Sequence, residues 1–151
     1  MQVWRVFPQR FRETAFTGIG GLYVASRWNH QGTPMVYMAT SRALAALEYF
    51  VNLDPDESPD ELSMAQATVP DELVEALDES LLPSDWRELD NLSCRDLGSA
   101  WAKSRRSLAL LVPSAVIAGD TNVILNPAHP DFPKVTIAEP IPFHFDSRMF
   151  H

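Results

Sequence analysis

Three polar residues, far apart along the chain, have the types and settings that chemistry needs. Glu48 follows Leu44 by one helical turn and precedes Val51 by about one turn, which places its carboxylate beside an apolar stripe. A carboxylate buried there without a partner costs several kcal/mol in order of magnitude, so it is paired, used, or at the stripe's edge reaching water. Arg27 opens the turn-forming stretch Arg27-Trp28-Asn29-His30-Gln31-Gly32. Its planar fork of donors suits a carboxylate or a phosphate, and the adjacent indole offers a stacking face. A surface acid or water would satisfy it equally. Ser114 interrupts an apolar run directly after Pro113, so its hydroxyl emerges at a strand end, either to meet a ligand or to bond its own backbone in a turn.

Other chemistries find less support. Gly-x-Ser-x-Gly is absent, and no spacing joins the four histidines to Ser114 as a catalytic set. Gly18, Gly20 and Gly21 lack the G-x-G-x-x-G spacing of a dinucleotide fingerprint. His129 and Asp131 lie in the turn-rich segment Asn126-Pro127-Ala128-His129-Pro130-Asp131-Phe132-Pro133, without further metal ligands at recognisable spacing, so no metal is expected. That segment either clamps a ligand or turns a corner.

The elements that must position these residues follow from periodicity. Ser41 is a plausible N-cap for a helix from 42 to about 53, with Ala43, Leu44, Leu47, Phe50 and Val51 at helical spacing. Further helices are predicted over 71–81, from Leu73, Val74, Leu77 and Leu81, and over 95–103. Strands are predicted over 22–26, 35–39, 64–69, 108–112, 122–125 and 135–138. The run from Asp54 to Glu61, rich in acids and proline, reads as an exposed loop. Mixed order without a βαβ rhythm implies an α+β fold, with strands in one or two packed sheets and helices at the side.

The chain has 151 residues, 46% of them hydrophobic, which suits one domain spanning 1–151. A formal net charge of −8 disfavours DNA or RNA as a partner, since an acidic chain gains nothing from counterion release. An anionic small ligand then requires arginines gathered locally in a cleft. No apolar run reaches membrane-spanning length and the first residues do not read as a secretory signal, so a cytoplasmic location is expected. A single cysteine, Cys94, excludes an internal disulfide and fits a reducing compartment.

In order along the chain, Ser26-Arg27-Trp28-Asn29 with Gly32-Thr33-Pro34, Tyr37-Met38-Ala39, Ala43-Leu44-Ala45-Ala46-Leu47-Glu48, Val112-Pro113-Ser114 and Asn126-Pro127-Ala128-His129-Pro130 resemble the RES-domain family, from near Trp4-Arg5 to Ser147-Arg148. Arg27, Glu48 and Ser114 match its arginine, glutamate and serine; Ser26 stands where the family usually has glycine. The resemblance implies a fold similar to ADP-ribosyltransferases and action on NAD as substrate by a toxin of a type II toxin–antitoxin pair. It also implies neutralisation by an Xre-like, helix-turn-helix antitoxin that covers the active site. In that setting Glu48 would stabilise positive charge on the ribose, Arg27 would bind the pyrophosphate or orient the ribose, and Ser114 would place the substrate. Tyr37 would stack and hydrogen-bond, Arg5 would be a second phosphate contact, and Asn122 would bond the ribose or nicotinamide. Water as acceptor gives a glycohydrolase, inorganic phosphate a phosphorylase, and a protein side chain an ADP-ribosyltransferase. A non-catalytic module that holds a partner segment in the same cleft is the rival of another class.

Overall fold

The computed structural model describes residues 1–54 and 61–150. Its frame is one sheet in the order β4-β5-β6-β2-β1-β3-β7, with β8 pairing β3 beyond β7. In chain order the strands are β1 Gln2–Pro8, β2 Val36–Ala39, β3 Leu62–Thr68, β4 Val74–Ala76, β5 Ala109–Pro113, β6 Thr121–Leu125, β7 Thr136–Ile137 and β8 Ile141–Phe143. All neighbours are antiparallel except β4 and β5. Among the described residues three α-helices accompany them: α1 Gly20–Tyr23, α2 Arg42–Val51 and α3 Leu92–Ser104. This is the α+β arrangement that the mixed order of elements implied, gathered into a single sheet.

The pairing is uneven, and the unevenness makes the cleft. Strand β1 pairs β3 along its whole length, from Gln2 with Thr68 to Pro8 with Leu62. Strand β2 likewise pairs β6 throughout, from Val36 with Leu125 to Ala39 with Asn122. Between β1 and β2 only one pair is made, Trp4 with Ala39. Beyond that rung the two halves of the sheet part. Residues from both lips of the opening, among them Arg5, Phe7 and Tyr37, line a common cavity.

Apolar burial fixes both halves. Val3, Val36, Met38, Leu108, Val123 and Leu125 form one cluster across the middle of the sheet. Trp28, Trp86, Trp101, Leu110, Val112 and Ile124 form a second, beside α3. A third, with Val6, Ala39, Leu44, Ala45, Leu62 and Met64, seats α2. Helix α2 starts where its cap predicts, with Ser41 Oγ accepting from the Leu44 N–H at 3.0 Å. Asn91 does the same for α3, accepting from the Cys94 N–H at 3.1 Å.

Several expectations are corrected. Residues 71–81 are not a helix: Asp71–Leu73 is a 3₁₀ turn, β4 follows, and Glu79–Leu81 is a second 3₁₀ turn. The edge of β5 offers unpaired backbone groups, and β4 takes them in parallel register, with the Leu77 N–H reaching the Leu111 carbonyl at 2.9 Å. Leu73 and Val74 then pack on one core cluster and Leu77 on another, so helical spacing served two sides of a strand. Residues 22–26 are not a strand either, because α1 occupies Gly20–Tyr23 and leaves Leu22, Tyr23 and Val24 exposed. Gly18 at φ +71° and Gly21, where a Cβ would stand 2.2 Å from the Thr33 carbonyl oxygen, set that bend. Strand β1 carries no turn signal before it and went unanticipated. The acidic loop lies outside the described residues apart from its ends, Asp54 and Glu61. No helix among the described residues is long and apolar enough to cross a membrane.

Gly98 decides how closely α3 approaches the turn that carries Arg27. A Cβ there would lie 1.8 Å from the Trp28 carbonyl oxygen and 2.9 Å from Trp28 Cβ. Gly98→Ala is expected to push α3 off this turn and to destabilise the fold by roughly 2–3 kcal/mol, lowering Tm by on the order of 5–10 °C. Thermal unfolding followed by circular dichroism checks this, and an unchanged Tm would show that the contact is slack.

Candidate active site

Glu48 sits in the last turns of α2, half-buried, and its neighbours come from the opposite half of the sheet. Ser114, just past β5, donates its hydroxyl to Glu48 Oε1 at 2.7 Å. Asn122, on β6, donates Nδ2 to the same oxygen at 2.6 Å. Ser114 is buried and its Oγ also accepts from the Val116 and Ile117 N–H groups, both at 3.1 Å, so its own position is fixed by the turn that follows it. The local-backbone reading of this serine holds, and the same hydroxyl also meets a distant acid. Both bonds to the carboxylate fall on Oε1, while Glu48 itself lines the cleft. Oε2 has no protein partner among the described residues and is the oxygen that can meet a ligand.

Arg27 is positioned by a tight turn in which the Ser26 N–H bonds the Asn29 carbonyl at 3.1 Å. Asn29 is fully buried; its Nδ2 donates to the Val24 and His30 carbonyls, and its Oδ1 accepts from the Tyr37 hydroxyl at 2.5 Å. That hydroxyl in turn accepts from the Trp28 N–H at 3.1 Å, tying the turn to β2. Burial pushes the Tyr37 phenol well above its ordinary range, against the smaller opposing effects of the Trp28 N–H and nearby arginines. The Arg27 guanidinium meets no acid. Nη1 donates to the carbonyls of Trp86 at 2.8 Å and Glu88 at 3.2 Å, and Nη2 to that of Arg87 at 3.3 Å.

A cleft of about 700 Å³ joins these groups. Of the six residues singled out in the sequence, Arg5, Arg27, Tyr37, Glu48 and Asn122 line it; Ser114 does not, and reaches it through Glu48. Arg5 spans the parted strands, its Nη1 donating to the Tyr37 carbonyl at 2.8 Å where a backbone rung would otherwise form. Burial draws its guanidinium down to about 10, still protonated at neutral pH. Three buried side-chain polar atoms lack a protein partner among the described residues: Trp4 Nε1, Arg5 Nε and Asn122 Oδ1. All belong to residues of this lining.

The sequence reading missed Trp4, Tyr49, Arg87 and Arg95, which also line the cleft. The adjacency of Trp86 and Arg87, mirroring Arg27 and Trp28, was a usable signal. The segment 126–133 turns a corner: Asn126 Nδ2 donates to the Ala102 carbonyl, its Oδ1 accepts from the Ala128 N–H, and His129 Nδ1 accepts from the Asp131 N–H. Among the described residues no group of three acidic, histidine or cysteine side chains could hold a metal ion.

The chain is similar to known proteins along nearly its whole length. The RES domain family matches residues 2–146. A Photorhabdus laumondii protein named Toxin Res is 35% identical over 151 residues, covering 99% of this chain and 97% of its own. A Sphingobium protein named Prs ADP-ribosylating toxin is 34% identical over 152 residues, covering 97% and 94%. The toxin–antitoxin complex of M. tuberculosis MbcT and MbcA contains a chain of the same fold, with TM-score 0.72 at 16% identity over 94% of this chain and 83% of that one. A split sheet with an arginine, a glutamate and a serine set about its opening, and a family match along nearly the whole length, lead to one assignment: the chain belongs to the RES-domain family.

Proposed function

We propose that this protein is the toxin of a toxin–antitoxin pair and that it cleaves the bond between nicotinamide and ribose in NAD. The observation that carries this reading is the Glu48 carboxylate, fixed through one oxygen by Ser114 and Asn122 at the wall of a cleft that gathers arginines. As the C–N bond breaks, nicotinamide leaves with the electron pair and positive charge collects on the ribose as an oxocarbenium ion. A carboxylate already oriented towards that ring stabilises the charge without reorganising. Water then adds to the anomeric carbon and loses a proton to solvent, giving ADP-ribose; inorganic phosphate as acceptor gives ADP-ribose phosphate instead. Asn122 and Ser114 hold the acid, Arg5 and Arg27 supply positive charge towards the pyrophosphate, and Tyr37 builds the wall between them. No metal takes part in this scheme.

Transfer of ADP-ribose to a protein is the second reading, favoured by the name of the Sphingobium relative. A macromolecular partner also suits the rim, where Val24, Val51 and Leu89 are 62%, 55% and 86% exposed beside the cleft. An Xre-like antitoxin seated there would cover these apolar side chains and shut the opening. Its basic face would meet the acidic surface implied by a net charge of −8.

Nicotinamide release from NAD tests the main reading. Glu48→Gln is expected to lower kcat by roughly 10²–10³ with the fold retained, because the amide keeps the shape and loses the charge. Ser114→Ala is expected to cost about tenfold in kcat and about 1 kcal/mol in stability, since Asn122 still holds Oε1 while the Val116 and Ile117 N–H groups lose their acceptor. Equal rates in wild type and Glu48→Gln would remove the carboxylate from the mechanism, and release no faster than the uncatalysed background in wild type would leave the non-catalytic module as the better account.

The acceptor is read separately. With purified protein, water and phosphate as sole acceptors, free ADP-ribose or its phosphate is expected in step with nicotinamide. Cell lysate with labelled NAD yielding a labelled protein band, and little free product, would favour the transferase.

A further inference from the structure

Four arginines line the cleft in an acidic chain, and they are not equally committed. Arg95 forms an ion pair with Asp90 at 2.7 Å and donates Nε to the Ser26 carbonyl at 3.0 Å. Arg5 spends Nη1 on the Tyr37 carbonyl. Arg27 spends both terminal nitrogens on the carbonyls of Trp86, Arg87 and Glu88. Arg87 differs: it is exposed, lines the cleft, and has neither a carboxylate partner nor a hydrogen bond from its side chain among the described residues. Its guanidinium lies 4.6 Å from the centroid of the Trp86 ring.

That stacking places the charge while leaving the in-plane N–H groups available, the arrangement in which a guanidinium takes two phosphate oxygens at once. Trp86 is a firm base for it. The indole is buried, packs against Trp28 with centroids 6.1 Å apart, and belongs to the core cluster beside α3. The backbone on either side is pinned as well, because Arg27 holds three successive carbonyls and the Cys94 thiol donates to that of Trp86 at 3.6 Å.

We propose that Arg87 is a phosphate-binding residue of the site, taking the pyrophosphate of the dinucleotide at the mouth of the cleft, and that Arg27 serves it as a positioning residue through residues 86–88. This deepens the reading of the protein as an NAD-cleaving enzyme and rests on it for the identity of the ligand. It assigns the two arginines different work. Arg27 holds the loop with its fork and lends only its charge to the anion, whereas Arg87 makes the direct contact. The arrangement acts on binding and leaves the bond-breaking step to Glu48.

The test measures NAD cleavage, and binding of ADP-ribose and inorganic pyrophosphate by calorimetry, in wild type, Arg87→Ala, Arg87→Lys and Lys103→Ala. Lys103 is an exposed cation of α3 outside the cleft and serves as the control for lost charge. Arg87→Ala is expected to raise KM for NAD and Kd for ADP-ribose about tenfold, with kcat within about twofold and Tm unchanged. Arg87→Lys should fall between, having kept the charge and lost the planar fork, and Lys103→Ala should match wild type. Values for Arg87→Ala within twofold of wild type for both ligands would overturn the proposal, as would an equal loss in Lys103→Ala. A wild type that binds ADP-ribose and pyrophosphate but releases no nicotinamide would sink the enzymatic reading alone, with Arg87 still judged by its Kd. A wild type that binds neither ligand would sink the proposal for Arg87, and one that also releases no nicotinamide would sink both.

Discussion

Everything in the site depends on one oxygen. Glu48 Oε1 is the point at which helix α2 meets the β5–β6 hairpin, more than sixty residues away in the chain, through Ser114 in its turn and Asn122 on its second strand. Ser114 and Asn122 satisfy the acid on one oxygen, and its other oxygen has no protein partner among the described residues. A carboxylate with no protein donors would cost more to bury, and one with donors on both oxygens would have little left to offer a developing cation. Half-satisfaction is the compromise that lets an acid be ordered and still keep an oxygen free of protein donors.

The second constraint is the opening that gives this oxygen something to face. A sheet normally spends its backbone groups on its neighbour, strand by strand, and a gap in the ladder leaves polar groups unpaired. Here β1 and β2 share a single rung, and an arginine side chain is sent across to the Tyr37 carbonyl in place of backbone. The ladder is thereby closed with a residue that also carries charge into the cavity. Two core clusters span the divide, Val3 with Val36 and Met38 in one and Val6 with Ala39 in another, so the parted strands are held in a packed frame.

Legibility in the sequence followed the range of the interactions. Helix α2 was readable from Ser41 and the leucine spacing because a cap and a stripe are local signals. Strands β5 and β6 were readable as short apolar runs. The family motifs picked out Arg27, Glu48 and Ser114, although nothing in their spacing could say that two would touch each other while the third would hold backbone carbonyls. Residues 71–81 misled for a physical reason: leucines three and four apart satisfy a helix, yet the free edge of β5 offered backbone partners that an isolated helix could not match. Strand β1 and Arg95 were invisible because their meaning lies in what stands opposite them, whereas Arg87 carried a signal in its adjacency to Trp86.

Charge explains how a chain of net −8 can still present a cleft suited to an anionic ligand. At physiological ionic strength, screening sets in over about 8 Å, so distant acids act weakly on a ligand inside the cleft while neighbouring arginines act strongly. The lining carries four arginines against Glu48 and Asp90, and Asp90 is taken up by Arg95. The local balance is therefore positive within an acidic whole. Such a site does not steer its ligand from afar; it recognises it on contact, through the geometry of a few oriented donors. The acidic exterior and the positive lining therefore act over different ranges: the one on approaching charges at a distance, the other on a group already inside the cleft.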